Sequence, residues 1–120
     1  MNTLQLGAIG LSKAIHEYLK LGYMVSIPVI DASDYDLIIE KDNKLYSVQC
    51  KFTSAKNKSG NYKVGLRSIK TNTKKTVVKQ RGVYDILFVM CSDGNCYSIP
   101  SSILPKNSVV IGSKYLKYKL

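Results

Sequence analysis

Apolar residues recur every three or four positions through the first twenty residues of the chain. The positions that form this stripe are Leu4, Ala8, Leu11, Ile15, Tyr18 and Leu19. The period predicts a helix with one face toward a core. Gly22 follows the stripe and favours a helix end, because glycine adopts the left-handed conformation that closes many helices.

Residues 23–29, YMVSIPV, predict a short strand after this helix. Pro28 has no backbone N–H to donate, so this strand should lie at a sheet edge or end there. Two further runs, YDLIIE at 35–40 and LYSVQCKF at 45–52, alternate with a period of two. The polar Asp-Asn-Lys sequence between them predicts a turn, so the two runs should form a β-hairpin.

The hairpin brings Asp36, Gln49 and Lys51 to one face in either of two registers. A turn at residues 42–43 places Asp36 opposite Gln49, and a turn at residues 43–44 places Asp36 opposite Lys51. The three share a face in both cases because strand side chains alternate, and neighbouring ones lie about 5 to 8 Å apart. The other face should belong to the core; it carries Leu37, Ile39, Val48 and Cys50.

The second half of the chain predicts further strands and one basic helix. YKVGL at 62–66, VYDILFVM at 83–90 and CYSIP at 96–100 have strand patterns, and the SDGN before CYSIP predicts a tight turn. Residues 68–80 have a weak helical pattern, and the tail predicts a short helical turn and then a strand or arm. The expected fold class is α/β (α+β mixed): a single domain over residues 1–120, with a central mixed β-sheet flanked by helices.

The charge of the chain is strongly positive and unevenly distributed. The formal charge is +10, and no acidic residue lies between Asp42 and Asp85, an interval that holds eleven of the 18 basic residues. A surface of this kind predicts a polyanionic partner. Nucleic acid fits best, because binding phosphates releases counterions. A solvated basic surface is the simpler alternative.

We expect the basic residues that follow Lys51 most closely to contact double-stranded DNA beside the hairpin face. They are Lys56, Lys58, Lys63 and Arg67. Arg67 is the one best suited to bond a guanine edge. The basic residues further along should contact phosphates, which position the protein without specifying sequence. These are Lys70, Lys74, Lys75, Lys79 and Arg81.

Other classes of function are disfavoured. No apolar run approaches the roughly 20 residues of a membrane span, and MNTLQLGAIG lacks the basic start of a secretion signal, so we expect an intracellular, cytoplasmic protein with no membrane partner. Three cysteines without a CxxC pair and the lone His16 disfavour a disulfide framework or a zinc site. Without a GxxxxGK[ST] loop, no nucleotide cofactor is expected.

The shared face of Asp36, Gln49 and Lys51 has the chemistry to hydrolyse a phosphodiester. A carboxylate binds a hard divalent cation, which polarises a phosphate and lowers the pKa of a bound water. An ammonium stabilises the charge that develops on the phosphate or orients the attacking water. The Gln49 amide oxygen and the Cys50 backbone carbonyl are further candidate ligands. The simpler alternative is a cross-strand ion pair on a half-exposed sheet.

The motif of YD, twelve residues and QCK resembles the metal-dependent PD-(D/E)XK nuclease superfamily. Its Asp...Gln-x-Lys form is similar to the group I intron-encoded homing endonucleases of bacteria. LGYMVSIPV before it and VYDILFVM...CYSIP after it fit the same pattern, over about residues 7–100. The resemblance implies a restriction-endonuclease-like core, Asp36 as the central ligand of Mg²⁺ or Mn²⁺, Gln49 in place of an acidic ligand, and Lys51 as the charge-stabilising lysine.

The function that this resemblance implies is a site-specific endonuclease of double-stranded DNA. One chain supplies one site, so cutting both strands predicts a homo-oligomer, a dimer or a tetramer. The tail segments SVVIG and KYLKYKL are candidates for its interface, or for the completion of the monomer's core. A resolvase of four-way DNA junctions is an alternative, because it uses the same chemistry and often the same fold. A basic DNA-binding module without catalysis is the other.

One position departs from the family pattern. The family usually has a glutamate on the first helix, and this chain has Leu11 there, in GAIGL. Leucine cannot bind a metal, and the helical angle of Glu17 places it on the far side, where we expect it to be solvent-exposed. Either the protein works with fewer acidic ligands, or position 11 disables cutting.

Overall fold

The structure, a computed structural model, describes residues 1–30, 34–71, 76–79 and 83–120. Helix α1 spans Thr3–Lys20. The strands are β1 Met24–Ser26, β2 Leu37–Lys41, β3 Lys44–Thr53, β4 Tyr62–Gly65, β5 Ser68–Thr71, β6 Thr76–Lys79, β7 Ile86–Cys91, β8 Cys96–Pro100 and β9 Ser108–Ile111. Two 3₁₀ helices span Ser101–Ile103 and Ser113–Tyr118.

Helix α1 forms where the apolar stripe predicts it, with both ends capped. Asn2 Oδ1 accepts from the Gln5 N–H at 2.9 Å, and Gln5 Oε1 accepts from the Asn2 N–H at 2.9 Å. These bonds satisfy two donors that the helix itself cannot. At the other end Gly22 has a φ of +89°, and the Tyr23 N–H donates to the Tyr18 carbonyl at 3.0 Å. Gly22 therefore ends the helix as predicted.

Five strands form a mixed sheet in the order β1-β2-β3-β7-β8. β3 and β7 run parallel, and the other neighbours run antiparallel. β1 lies at the edge, as Pro28 indicates. The β2–β3 hairpin turns at Asp42 and Asn43, whose φ values of 52° and 63° are left-handed ones that Asp and Asn tolerate in such turns. Leu37 pairs with Val48, so the first of the two predicted registers is the observed one.

Different layers cover the two faces of the sheet. α1 packs on one face, over a cluster that includes Tyr18, Leu37, Ile39, Val48 and Phe88. On the other face, β4 and β9 form an antiparallel ribbon. This ribbon and the C-terminal 3₁₀ helix enclose a second cluster, which includes Leu87, Val89, Val109, Ile111 and Tyr115. The mixed fold class is thus confirmed, and the apolar residues of the tail complete the monomer's own core.

The helix expected over residues 68–80 is wrong. β5 and β6 lie there and pair antiparallel. Five of the eight residues in the two strands are isoleucine, threonine or valine, whose branched side chains lose rotamer freedom in a helix but fit a pleated strand. The weak helical period of this basic segment is therefore not evidence of a helix, and the branched residues are the better indicator. No helix in the described ranges combines the length and hydrophobicity needed to cross a bilayer.

Tyr18 joins α1 to the sheet through a polar bond inside the core. The residue is 1% exposed, its hydroxyl lies 2.8 Å from Ser98 Oγ, and burial raises the pKa of its phenol. Tyr18→Phe should lower the free energy of unfolding by about 1 kcal/mol, because one hydrogen bond is lost while the ring still packs. Urea denaturation measures this, with Tyr23→Phe as the control. Equal losses for the two variants would contradict the role of the Ser98 bond.

Candidate active site

Asp36 is the last residue before β2 and turns its carboxylate toward β3. Its N–H donates to the Val48 carbonyl at 2.8 Å, which holds the residue in line with the strand. Its Oδ2 accepts two hydrogen bonds, from Gln49 Nε2 at 2.9 Å and from the Cys50 N–H at 2.8 Å. Oδ1 takes part in neither bond. The carboxylate is therefore oriented through one oxygen and can offer the other to a cation.

Cys50 presents its backbone carbonyl to the same place. The N–H and C=O of one strand residue point to the same side, and those of the next residue point to the other. Because the Cys50 N–H meets Asp36, its C=O also faces the side where β2 has already ended. The bond that this carbonyl accepts from Gln49 Nε2 is long, 3.4 Å, so the oxygen stays available to a ligand.

The Cys50 thiol is not a metal-binding group. Its side chain packs against the cluster beneath α1. Burial, and then the nearby Asp36 carboxylate, raise the pKa of the thiol. A protonated thiol binds metals poorly, because the thiolate is the ligand. Cys50 can therefore contribute only through its backbone.

Lys51 lies two positions after Gln49 on the same face of β3, as strand alternation requires. It is half-buried, and it makes no hydrogen bond or ion pair with any residue that the structure describes. It borders a groove of about 410 Å³ whose opposite wall is the start of α1, at Thr3, Leu6 and Gly7. By strand alternation its side chain lies on the face opposite to Cys50 and α1, and without a described partner its ammonium can meet an anion.

Helix α1 contributes no acidic side chain to this site. Leu11 packs against the apolar cluster between α1 and the sheet, as does Cys50. The helix lies close to β3 because Gly10 has no side chain: a Cβ there would meet Phe52 Cβ at 3.4 Å. Position 11 therefore lies on the α1 side of the sheet, and a leucine stands where the family usually has a carboxylate.

The prediction that Glu17 is solvent-exposed is wrong. The residue is 9% exposed, and its carboxylate lies 3.0 Å from Lys13 Nζ and 3.6 Å from Lys20 Nζ. The hydrogen bond from Lys13 lowers the pKa of this carboxylate. Two lysines on the same helix cover it, which the helical angle by itself does not reveal. Glu17 is thus committed to ion pairs on α1 and does not replace the missing glutamate.

The oxygen atoms at the site fit a hard divalent cation better than a soft one. Asp36 Oδ1 and the Cys50 carbonyl border the same gap, and the Gln49 amide can present its oxygen there by rotating its last bond. Across the described ranges, no group of three or more His, Cys, Asp or Glu side chains is placed to hold a metal. One carboxylate and two neutral oxygens suit Mg²⁺, which keeps several waters and binds few protein ligands.

Two of the predicted DNA-contacting residues lie at the β4–β9 ribbon: Lys63 is on β4, and Arg67 is two residues past its end. Val64 and Leu66 point inward and are buried, whereas Lys63 and Arg67 are exposed. The two basic residues are four positions apart, about 13 Å along the strand direction. A two-stranded ribbon can enter the DNA major groove. The ribbon therefore has a suitable shape and charge for contacting a duplex.

The other predicted DNA contacts are distributed around this ribbon. Lys56 and Lys58 are exposed in the loop between β3 and β4, and Lys56 Nζ lies 4.8 Å from the centroid of the Tyr62 ring. Lys70 lies on β5 and Lys79 on β6. Three further residues predicted to contact phosphates, Lys74, Lys75 and Arg81, lie outside the described residues.

Thr53 couples β3 to the ribbon, and the sequence pattern does not single it out. Its hydroxyl is buried, donates to the Lys63 carbonyl at 2.7 Å and accepts from the Ala55 N–H at 3.2 Å. These bonds set the direction in which the chain leaves β3, and so the place of Lys63 relative to Lys51. The signal in the sequence is only a hydroxyl two positions after Lys51, which occurs in many strands.

Comparison with known proteins points to one family and one fold. A family model for PD-(D/E)XK endonucleases matches residues 1–116. No curated protein matches the chain. Among solved structures, a bacterial homing endonuclease, I-Ssp6803I, has a TM-score of 0.84 at 22% sequence identity, over 99% of this chain and 89% of that one. At this level of identity the structural match shows a shared fold and no more. Together with the family model, it confirms the family that the sequence motif indicates.

Proposed function

Because the chain belongs to the PD-(D/E)XK endonuclease family, we propose that it hydrolyses double-stranded DNA at a specific site, as a homing endonuclease. The observation that carries this proposal is the convergence of Asp36, Gln49 and the Cys50 backbone beside Lys51, which has no bonding partner among the described residues. An ordinary cross-strand ion pair would join Asp36 to Lys51. The carboxylate is instead bonded to an amide and a backbone N–H, which leaves both charges available for a phosphate and its cation.

The residues of the site have distinct roles in this proposal. Asp36, the Cys50 carbonyl and the Gln49 amide oxygen would hold Mg²⁺ or Mn²⁺. A divalent ion bound there supplies charge that polarises the phosphate and makes a bound water more acidic. Lys51 stabilises the negative charge that develops on the phosphate, or orients the attacking water. The Cys50 N–H keeps the Asp36 carboxylate oriented in both arrangements, and Gln49 Nε2 adds a second bond until its amide turns to present the oxygen.

The substrate is proposed from charge and shape. The acid-free interval of basic residues supplies attraction to phosphates, and two exposed residues, Lys63 on β4 and Arg67 just past it, are available to a groove. The structural neighbour is a bacterial homing endonuclease, which supports the homing class. Cutting both strands needs two such sites, so the active form is a homo-oligomer, a dimer or a tetramer, inside a cell.

A second function, DNA binding without cutting, is favoured by one observation: Leu11 removes the usual helix carboxylate. A cleavage assay on a library of duplexes with random inserts, with Mg²⁺ or with EDTA, separates the two. The endonuclease proposal expects Mg²⁺-dependent double-strand breaks at a common sequence. Salt-sensitive binding without scission would support the binding module. A four-way junction added to the same assay, if cut in preference to linear duplex, would support a resolvase.

Leu11→Glu tests the missing ligand directly. A carboxylate at position 11 restores the acidic ligand that the family usually has there, so the Mg²⁺ concentration for half-maximal cleavage should fall about tenfold. Leu11→Gln is the matched control, because glutamine has the same length as glutamate but carries no charge. This variant should leave the Mg²⁺ requirement unchanged. The binding module predicts no scission by either variant, in any divalent metal.

A further inference from the structure

The outer face of the β4–β9 ribbon is built from both of its strands. Lys63 pairs with Val110, and Gly65 pairs with Ser108, so these four positions lie on the same face. The residues that alternate with them along the two strands point into the core. We call the surface formed by these four residues the ribbon face, and all four are exposed.

The charge around the ribbon face is positive. Residues 54–67 and 101–113, which form the ribbon and its flanks, contain no acidic residue. Lys63 lies on the face itself, and two more exposed basic residues, Arg67 and Lys106, lie just beyond the end of the ribbon. The ribbon face therefore fits a polyanion, and the phosphates on both sides of a DNA groove supply that charge.

Gly65 is a glycine that the fold of the chain does not require. A Cβ built on it would meet no atom of the described residues within 4 Å, and its backbone does not have the positive φ that favours glycine. Glycine inside a strand weakens the strand and often marks a place where a ligand comes close to the backbone. With the small Ser108 opposite, the ribbon face is shallow at this pair and leaves room for a partner.

Val110 adds an apolar side chain beside this shallow pair. It is 38% exposed, and it lies opposite Lys63, about 7 Å along the ribbon from Gly65. A single exposed valine needs no explanation by itself. On a basic face that can enter a groove it has a defined target, because thymine is the base that displays a methyl group in the major groove.

We propose that the ribbon face reads base edges in the DNA major groove, with Val110 against a thymine methyl and the Ser108 hydroxyl against a polar edge beside it. The two strands lie about 5 Å apart and the major groove is about 12 Å wide, so the ribbon fits. The inference rests on the proposed function only in that the partner is double-stranded DNA. It assigns part of the sequence specificity to β9, in the tail of the chain.

The contact with a thymine methyl is tested by selecting duplexes from a library with random inserts, through binding in Ca²⁺. The parent protein should prefer thymine at a position where Val110→Ala has no preference. Replacing that thymine by deoxyuridine removes only the methyl group, so it should weaken binding by the parent about fourfold and leave binding by Val110→Ala unchanged. Identical selected sequences for the two proteins, or an equal loss on the deoxyuridine duplex, would overturn the assignment.

Gly65→Val tests the close approach of DNA to the ribbon. The branched side chain fits a strand, so the urea midpoint of unfolding should not fall, whereas its bulk should lower the affinity for the selected duplex about 30-fold or more. Ser12→Val is the control, because Ser12 is exposed on α1, which covers the other face of the sheet. This control should bind like the parent, and a Gly65→Val variant that also does so would contradict the inference.

These experiments measure binding, so they are separate from cutting. A parent protein that selects a sequence but leaves it intact in Mg²⁺ would reject the endonuclease proposal and leave this inference standing. A parent protein that cuts DNA with preferences unchanged by Val110→Ala would do the opposite. A parent protein that selects no sequence from the library would overturn the inference.

Discussion

Replacing Asp36 by asparagine is expected to reduce Mg²⁺-dependent DNA cleavage at least about 1,000-fold while the protein stays folded. Asparagine keeps the shape of the side chain and one oxygen that can accept the Cys50 N–H. It removes the charge that binds a hard cation, and the remaining candidate ligands, the Gln49 amide and the Cys50 carbonyl, are neutral. Initial rates of duplex cleavage at saturating Mg²⁺ measure the change, and urea denaturation verifies the fold.

Asp34→Asn is the matched control for this substitution. Asp34 is two positions earlier and exposed, and its Oδ2 accepts a 3.4 Å bond from the Val83 N–H. The control should cut at a rate within about twofold of the parent, because surface substitutions away from a site have small effects. Retention of full cleavage by Asp36→Asn would reject the assigned site. Equal losses in the two variants would point to general electrostatics and away from a metal ligand.

Lys51→Met is expected to lower the rate of the chemical step about 100- to 1,000-fold with little change in DNA affinity. Methionine approximates the length of the lysine stem, so packing beside β3 is kept while the ammonium is removed. In the structure that ammonium has no described partner, so the loss should fall on charge stabilisation at the phosphate. Single-turnover cleavage measures the rate of the chemical step, and equilibrium binding in the presence of Ca²⁺ measures the affinity for DNA.

The split between rate and affinity distinguishes a catalytic ammonium from one more phosphate contact. Lys44→Met is the control, since Lys44 begins the same strand and is exposed at the hairpin turn. If Lys51 only contacted a phosphate, its replacement would weaken DNA binding and leave the rate of the chemical step unchanged. The slope of log affinity against log salt concentration would then fall by about one. That result for Lys51→Met would assign the lysine to binding only.

The hairpin shows what local patterns can predict and where they stop. Strand alternation alone places Asp36, Gln49 and Lys51 on one face, and the observed φ values at Asp42 and Asn43 select one of two registers. The pattern does not predict that the carboxylate bonds to Gln49 and the Cys50 N–H. That bond exists because β2 begins after Asp36, so the Cys50 N–H finds a side chain where a strand would otherwise pair.

Position 17 and residues 68–80 show the two ways in which the pattern fails. The helical angle correctly separates Glu17 from the Leu11 stripe, but exposure depends on Lys13 and Lys20, whose long side chains cover the carboxylate. For residues 68–80, a weak period of 3.6 suggests a helix, whereas pairing between β5 and β6 decides for strands. A period describes one segment by itself and contains no information about its neighbour.

The sequence by itself determines the helix with its stripe and its glycine end, the hairpin with its polar face, the charge asymmetry and the nuclease motif. Each of these depends on residues close together in the chain, whose geometry follows from backbone periods and turn chemistry. The tertiary structure decides the rest: the β4–β9 ribbon that closes the second face, the Thr53 bond that sets its direction, the two lysines that cover Glu17, and the bond from the Cys50 N–H to Asp36. These depend on contacts between residues far apart in the chain, and only the folded molecule brings such residues together.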